Sequence, residues 1–90
     1  MKITFDPNKR NKTLEERGLD FLGSEQVFAG KHFTVIDTRF DYGETRYISI
    51  GKLDKRMVVV VWTQRGNARH IISMRKANER EQKRYHQYLD

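Results

Sequence analysis

The stretch Met57-Val58-Val59-Val60-Val61-Trp62-Thr63, with Gln64-Arg65-Gly66-Asn67 and Arg69-His70-Ile71-Ile72-Ser73-Met74-Arg75 behind it, decides the fold. Four consecutive valines before a tryptophan leave no polar alternation, so Met57 to Thr63 is predicted as a central strand buried on both faces. Gly66 turns the chain, and Arg69 to Arg75 reads as the next strand, antiparallel to the first. By the period-two rule Arg69, Ile71, Ser73 and Arg75 share one side of it. Asn78 then opens a helix, and Glu81 stands at the spacing of a capping box.

Arg46 to Gly51 is the preceding strand, with Leu53 to Lys55 as a tight connection. Phe40 to Glu44 is a turn built on Asp41 and Gly43, and Phe33 to Asp37 is the strand before it. Near the N-terminus Lys2 to Phe5 alternates like a short strand. Asp6 can cap a helix whose first position is Pro7, where a missing donor costs nothing, and Gly18 closes it after Arg17. Phe21 to Phe28 reads as a second, short helix. The order β-α-α-β-β-β-β-α implies an α+β fold: an antiparallel sheet with two N-terminal helices and a C-terminal helix, one domain over residues 1–90.

Eighteen Lys and Arg against twelve Asp and Glu give a net charge of +6, which favours a polyanionic partner, with nucleic acid first. The absence of cysteine removes disulfides and thiolate metal sites. His32, His70 and His86 have no ligand spacing, so neither a metal nor any other cofactor is expected. No apolar run is long enough to span a bilayer, so a cytoplasmic protein without membrane contact is expected. Six singly placed glycines make no phosphate-cradling loop.

What remains is arginine. Arg46 begins one strand, Arg65 lies in a turn, and Arg69 and Arg75 bracket the next strand, so an antiparallel sheet can gather them. Guanidinium forks bind phosphate bidentately and stay protonated, and Glu44 or Glu81 could move a proton. On spacing alone, solvated strand ends and a helix cap explain the same residues. Trp62 reads as core, and Tyr85 and Tyr88 as one helix face packed on the sheet.

Several separated blocks nonetheless occur in a recognisable order. They are Phe5-Asp6-Pro7-Asn8-Lys9-Arg10, Arg17-Gly18-Leu19-Asp20-Phe21, Val27-Phe28, Gly43-Glu44-Thr45-Arg46, the valine run to Thr63, Arg65-Gly66, and Ile71 through Ala77 with Glu81 and Tyr85. Together they resemble the BrnT toxins of type II toxin–antitoxin systems. One departure is Glu16-Arg17, where many members carry a Lys-His pair before the glycine.

The resemblance implies a RelE-like ribonuclease fold, cleavage of RNA and slowed translation. It also implies a BrnA-like ribbon-helix-helix antitoxin whose complex with the toxin binds operator DNA. Arg46, Arg65, Arg75 and Glu81 become the expected catalytic positions, with Lys9, Arg69 and Lys76 holding RNA. The expected chemistry is metal-independent attack of the 2′-hydroxyl on the adjacent phosphate, with arginines stabilising the phosphorane. A non-catalytic, basic nucleic-acid-binding module is the alternative, and a pure interaction protein facing an acidic antitoxin is another.

Overall fold

The computed structural model describes residues 1–89. Strand β1 (Lys2–Phe5) leads into α1 (Pro7–Arg17), a 3-10 turn (Phe21–Gly23) and α2 (Ser24–Ala29). Strands β2 (His32–Ile36), β3 (Tyr47–Leu53), β4 (Arg56–Arg65) and β5 (Ala68–Lys76) follow, and α3 (Glu79–Leu89) closes the described chain. The five strands form one sheet in the order β1-β5-β4-β3-β2.

β2 to β5 form the expected antiparallel meander, but β1 lies parallel to β5, with Ile3 opposite Arg69 and Phe5 opposite Ile71. The sheet is therefore mixed, not antiparallel throughout. The cause is burial: Ile3 and Phe5 pack on the core that holds Phe21 and Ile71, and Phe5 meets Phe21 edge-on at 6.0 Å. An added strand beside β5 removes that apolar surface from water.

β4 alternates regularly, so Val58, Val60 and Trp62 face one core and Met57 and Val59 the other. The first core, with Leu19, Phe21, Val27, Ile71 and Met74, is closed by α2 and the 3-10 turn. Trp62 belongs to it, stacked on Tyr47 at 4.7 Å, with its indole N–H donating to Ser49 Oγ at 2.8 Å. The second core is closed by α3 through Tyr85 and Leu89 over Ile50, Met57 and Val59. Phe33 stacks against Tyr88 at 5.2 Å, so the α3 tyrosines do pack on the sheet.

The second helix does not run as one piece. Asp20 accepts the Leu22 N–H and starts a 3-10 turn, and only from Ser24 does the chain become α-helical. α1 buries no residue and is tied down instead by polar contacts. Asp6 caps its start, and Gly18, at φ 69°, caps its end by donating to Leu14 O. Arg10 forks onto Asp20 at 2.8 and 2.9 Å, and Arg17 donates to Met74 O at 2.8 Å, a carbonyl on the β5 edge beyond the end of β1.

The expected side-sharing along β5 fails at Ile72. A β-bulge between Val61 and Trp62 sets Ser73 opposite Val61 and Ile71 opposite Trp62, so Ile72 is an extra residue. An extra residue inverts the facing of everything beyond it. Arg69 and Ile71 therefore lie on the α2 face, while Ser73 and Arg75 lie on the α3 face with His70.

Candidate functional site

α3 covers only the end of its sheet face near Phe33, Ile50 and Met57. At the other end of that face register places Thr4, His70, Thr63 and Arg65, with Ser73, Val61 and Ile48 between the two ends. The irregular segment between β2 and β3 reaches toward this end. Asp37 N–H donates to Arg46 O at 2.8 Å, and Thr63 Oγ1 donates to Thr45 O at 2.6 Å. The expected turn at Phe40 to Glu44 is thus part of a longer loop that carries side chains onto the sheet.

Between α3 and this loop lies a cleft of about 450 Å³. Ile48, Ile50, Val59, Val61 and Ser73 make its floor, and Arg17, Arg39, Arg75, Arg80 and Arg84 its walls. Five guanidinium groups face a single lining carboxylate, Glu81. Arg75 forks onto Glu81 at 2.7 and 2.8 Å, while Glu81 also accepts the Asn78 N–H at 2.9 Å and donates its own N–H to Asn78 Oδ1 at 2.8 Å. The capping box forms as the spacing implies, and the same carboxylate fixes Arg75. Its bond to Arg75 lowers the Glu81 pKa and raises that of Arg75, while the nearby Arg39 charge acts on Arg75 in the opposite sense. Arg39 is held by the buried carboxyl of Asp37 at 2.9 Å, to which Tyr42 also donates at 3.1 Å.

A second cluster lies at the other end of the face. Glu44 stands 3.7 Å from Arg46 Nε and 3.6 Å from Arg65, both too long for a hydrogen bond. Arg46 lies over the Tyr42 ring at 3.9 Å, and its Nε is buried with no hydrogen-bond acceptor. The Arg46 and Arg65 side chains are 26% and 55% exposed, so their guanidinium groups can meet an anion at this end of the face. His70 is half-buried on the neighbouring strand, with Thr4 Oγ1 2.9 Å from Nδ1. Burial, followed by the positive charge of Arg65, lowers its pKa; Lys9 adds to this, and Glu44 and Asp6 oppose it.

Of the seven residues singled out from sequence, Arg46 and Arg65 come together around Glu44, and Arg75 and Glu81 come together in the cleft. Lys9, on α1, is close enough to act electrostatically on His70. Arg69 does not join them: beyond the bulge it turns to the α2 face and lies over Phe28 at 4.0 Å. Lys76 is exposed beside the β3–β4 turn, near Asp54 and Gln82, away from the arginine cleft. Sequence reasoning missed Arg17, Arg39, Arg80 and Arg84. Arg80 and Arg84 were legible, since four residues apart on a helix share a face. Arg39 had no signal, because a loop without periodicity places it.

Among the described residues no three His, Cys, Asp or Glu side chains gather as a metal site requires. No described helix is long and apolar enough to cross a membrane.

Comparison with known proteins gives a family and a similar solved structure. A family model described as the ribonuclease toxin BrnT of type II toxin–antitoxin systems matches residues 5–81. The 1.1 Å crystal structure of the Brucella abortus ribonuclease toxin BrnT matches with a TM-score of 0.65 and 31% sequence identity, over 88% of this chain and 99% of that one. A search of curated proteins returned no match.

Proposed function

The chain therefore belongs to the BrnT family of ribonuclease toxins of type II toxin–antitoxin systems, and we propose that it cuts RNA across the arginine-bearing α3 face without a metal ion. The observation that carries this reading is the cluster Arg46–Glu44–Arg65 at the end of that face opposite α3, where two part-exposed guanidinium groups stand 3.7 and 3.6 Å from a carboxylate that hydrogen-bonds neither. Their guanidinium forks suit the oxygens of a phosphate. The substrate's 2′-oxygen attacks phosphorus, the bond to the 5′-oxygen breaks, and a 2′,3′-cyclic phosphate and a 5′-hydroxyl result. The Arg46 guanidinium, oriented over the Tyr42 ring, faces the extra negative charge of the phosphorane with little reorganisation. Arg46 and Arg65 hold the scissile phosphate, and Arg75, held by Glu81, takes a neighbouring one together with Arg39 and Arg84.

The proposal extends to the setting in which such a toxin would act. RNA cleavage slows translation in the cytoplasm, and the single-domain toxin is silenced by a BrnA-like ribbon-helix-helix antitoxin whose complex binds operator DNA. A net charge of +6 and a five-arginine cleft call for an acidic cover in the silent state. One five-stranded sheet with helices on both faces is compatible with a RelE-like ancestry.

The test is RNA cleavage by the purified protein in EDTA, with Arg46→Ala and Arg65→Ala beside it. Each substitution is expected to lower kcat by about 10²–10³, the loss typical of one transition-state donor. Tight, salt-dependent binding of RNA that stays intact would instead make this a binding module.

A further inference from the structure

We infer that His70 is the group that takes the proton from the attacking 2′-hydroxyl, oriented by Thr4 and flanked by Glu44 and Arg65. The inference rests on the reading of the protein as a metal-independent ribonuclease and supplies the proton acceptor that reading lacks. The bulge at Ile72 is what makes it available: His70 shares the face of Ser73 and Arg75, and strand register puts it beside Thr63 on β4 and Thr4 on β1. Thr63 in turn holds the Thr45 carbonyl, so Glu44 and Arg46 are suspended over the strand next to His70.

Thr4 Oγ1 lies 2.9 Å from Nδ1, which fixes the ring. When Nδ1–H donates this bond, Nε2 carries the lone pair, and Nε2 is the nitrogen left for substrate. The charged groups facing the ring are Arg65 from β4, Glu44 from the loop before β3, and Asp6 and Lys9 from the start of α1. Burial and the two cations keep the imidazole neutral at pH 7, the form a proton acceptor needs, and Glu44 stabilises the imidazolium once the proton arrives.

The step balances without a further reactant. The 2′-O–H bond breaks, its proton passes to Nε2, and the 2′-oxygen bonds to phosphorus as the P–O5′ bond breaks. The departing 5′-oxygen takes a proton from water, and the resulting hydroxide removes the proton from His70. Neither Arg75 nor Glu81 is needed for this transfer. Both Glu81 oxygens are already committed to Arg75, one of them also to Asn78 N–H.

The experiment compares wild type, His70→Ala and His70→Gln on an RNA oligonucleotide in EDTA, as rate against pH, with binding measured on the all-2′-deoxy oligonucleotide. Wild-type log kcat/KM is expected to rise with pH at unit slope and level off below pH 6.5, the ordinary histidine value. Both variants are expected to lose about 10²–10⁴ in kcat/KM and that rising limb, with binding of the deoxy oligonucleotide within about twofold. Imidazole in the buffer should restore part of the His70→Ala rate. Thr4→Val, which leaves the imidazole in place, is expected to lower kcat more than it raises KM. Variants that cut at the wild-type rate with the wild-type pH profile overturn the inference and leave the ribonuclease reading standing. A folded wild type that cuts no RNA overturns that reading instead.

Discussion

Glu81 performs two tasks that substitution can separate. Its Oε1 accepts from Asn78 N–H and from Arg75, and its Oε2 from the second Arg75 nitrogen. Glutamine keeps a carbonyl oxygen for Asn78 N–H but removes the anion from the guanidinium fork. The Arg75 and Glu81 side chains are 46% and 21% exposed, so water screens the pair and Glu81→Gln should cost about 0.5–1 kcal/mol. Alanine also removes the reciprocal cap, about 1 kcal/mol more, so Glu81→Ala should cost about 1.5–2 kcal/mol. In a domain of this size each kcal/mol moves Tm by roughly 4–8 °C, which thermal melts by circular dichroism resolve.

The pH dependence carries a sign. Arg75 holds the folded-state pKa of Glu81 below the ordinary 4.5. The wild-type advantage over Glu81→Gln is therefore complete above that value and disappears as pH falls through the lower folded one. Equal melting temperatures for the two variants would refute the cap as an independent contribution. A glutamine deficit unchanged at about pH 2, below the carboxylate range, would refute the ion pair.

Gly51→Ala places a Cβ 2.7 Å from Val27 Cγ1 and 3.2 Å from His32 Cβ, so a loss of about 1–3 kcal/mol is expected in denaturant melts. Gly23→Ala meets only the Leu53 side chain, at 2.9 Å, and should stay within about 1 kcal/mol of wild type. Arg39 bonds to Asp37 and keeps its carboxyl ionised far below the ordinary 3.8; its stabilisation is present above that value and lost on acidification. Melts of wild type and Asp37→Asn should accordingly converge as the pH falls well below it. For RNA binding, Arg39→Ala and Arg84→Ala should each reduce the slope of log affinity against log salt by about 0.7. Arg69→Ala, on the opposite face, should leave that slope unchanged.

Which parts of this molecule were legible from sequence follows from which residues carry a period. The valine run, the Asp6-Pro7 start, the Gly18 stop and the Asn78–Glu81 box each obey a local rule, and each forms. β1 pairing is not local: nothing in Lys2 to Phe5 says that the strand will lie parallel beside a segment more than sixty residues away. The bulge is likewise silent, because Ile71-Ile72 reads the same whether or not one residue is extra. That residue decides which face Arg69 and Arg75 occupy, so a grouping drawn from strict alternation had to fail there. The arginines that line the cleft from α1 and the loop before β3 are gathered by tertiary contacts alone: Arg17 to Met74 O, and Arg39 to Asp37.

The chemistry of the cut ends is the direct readout of metal-independent transesterification. Wild-type protein incubated with RNA in EDTA should yield fragments bearing 2′,3′-cyclic phosphate and 5′-hydroxyl ends by mass spectrometry. Fragments with 3′-hydroxyl and 5′-phosphate ends, or RNA left whole by folded protein, would contradict it.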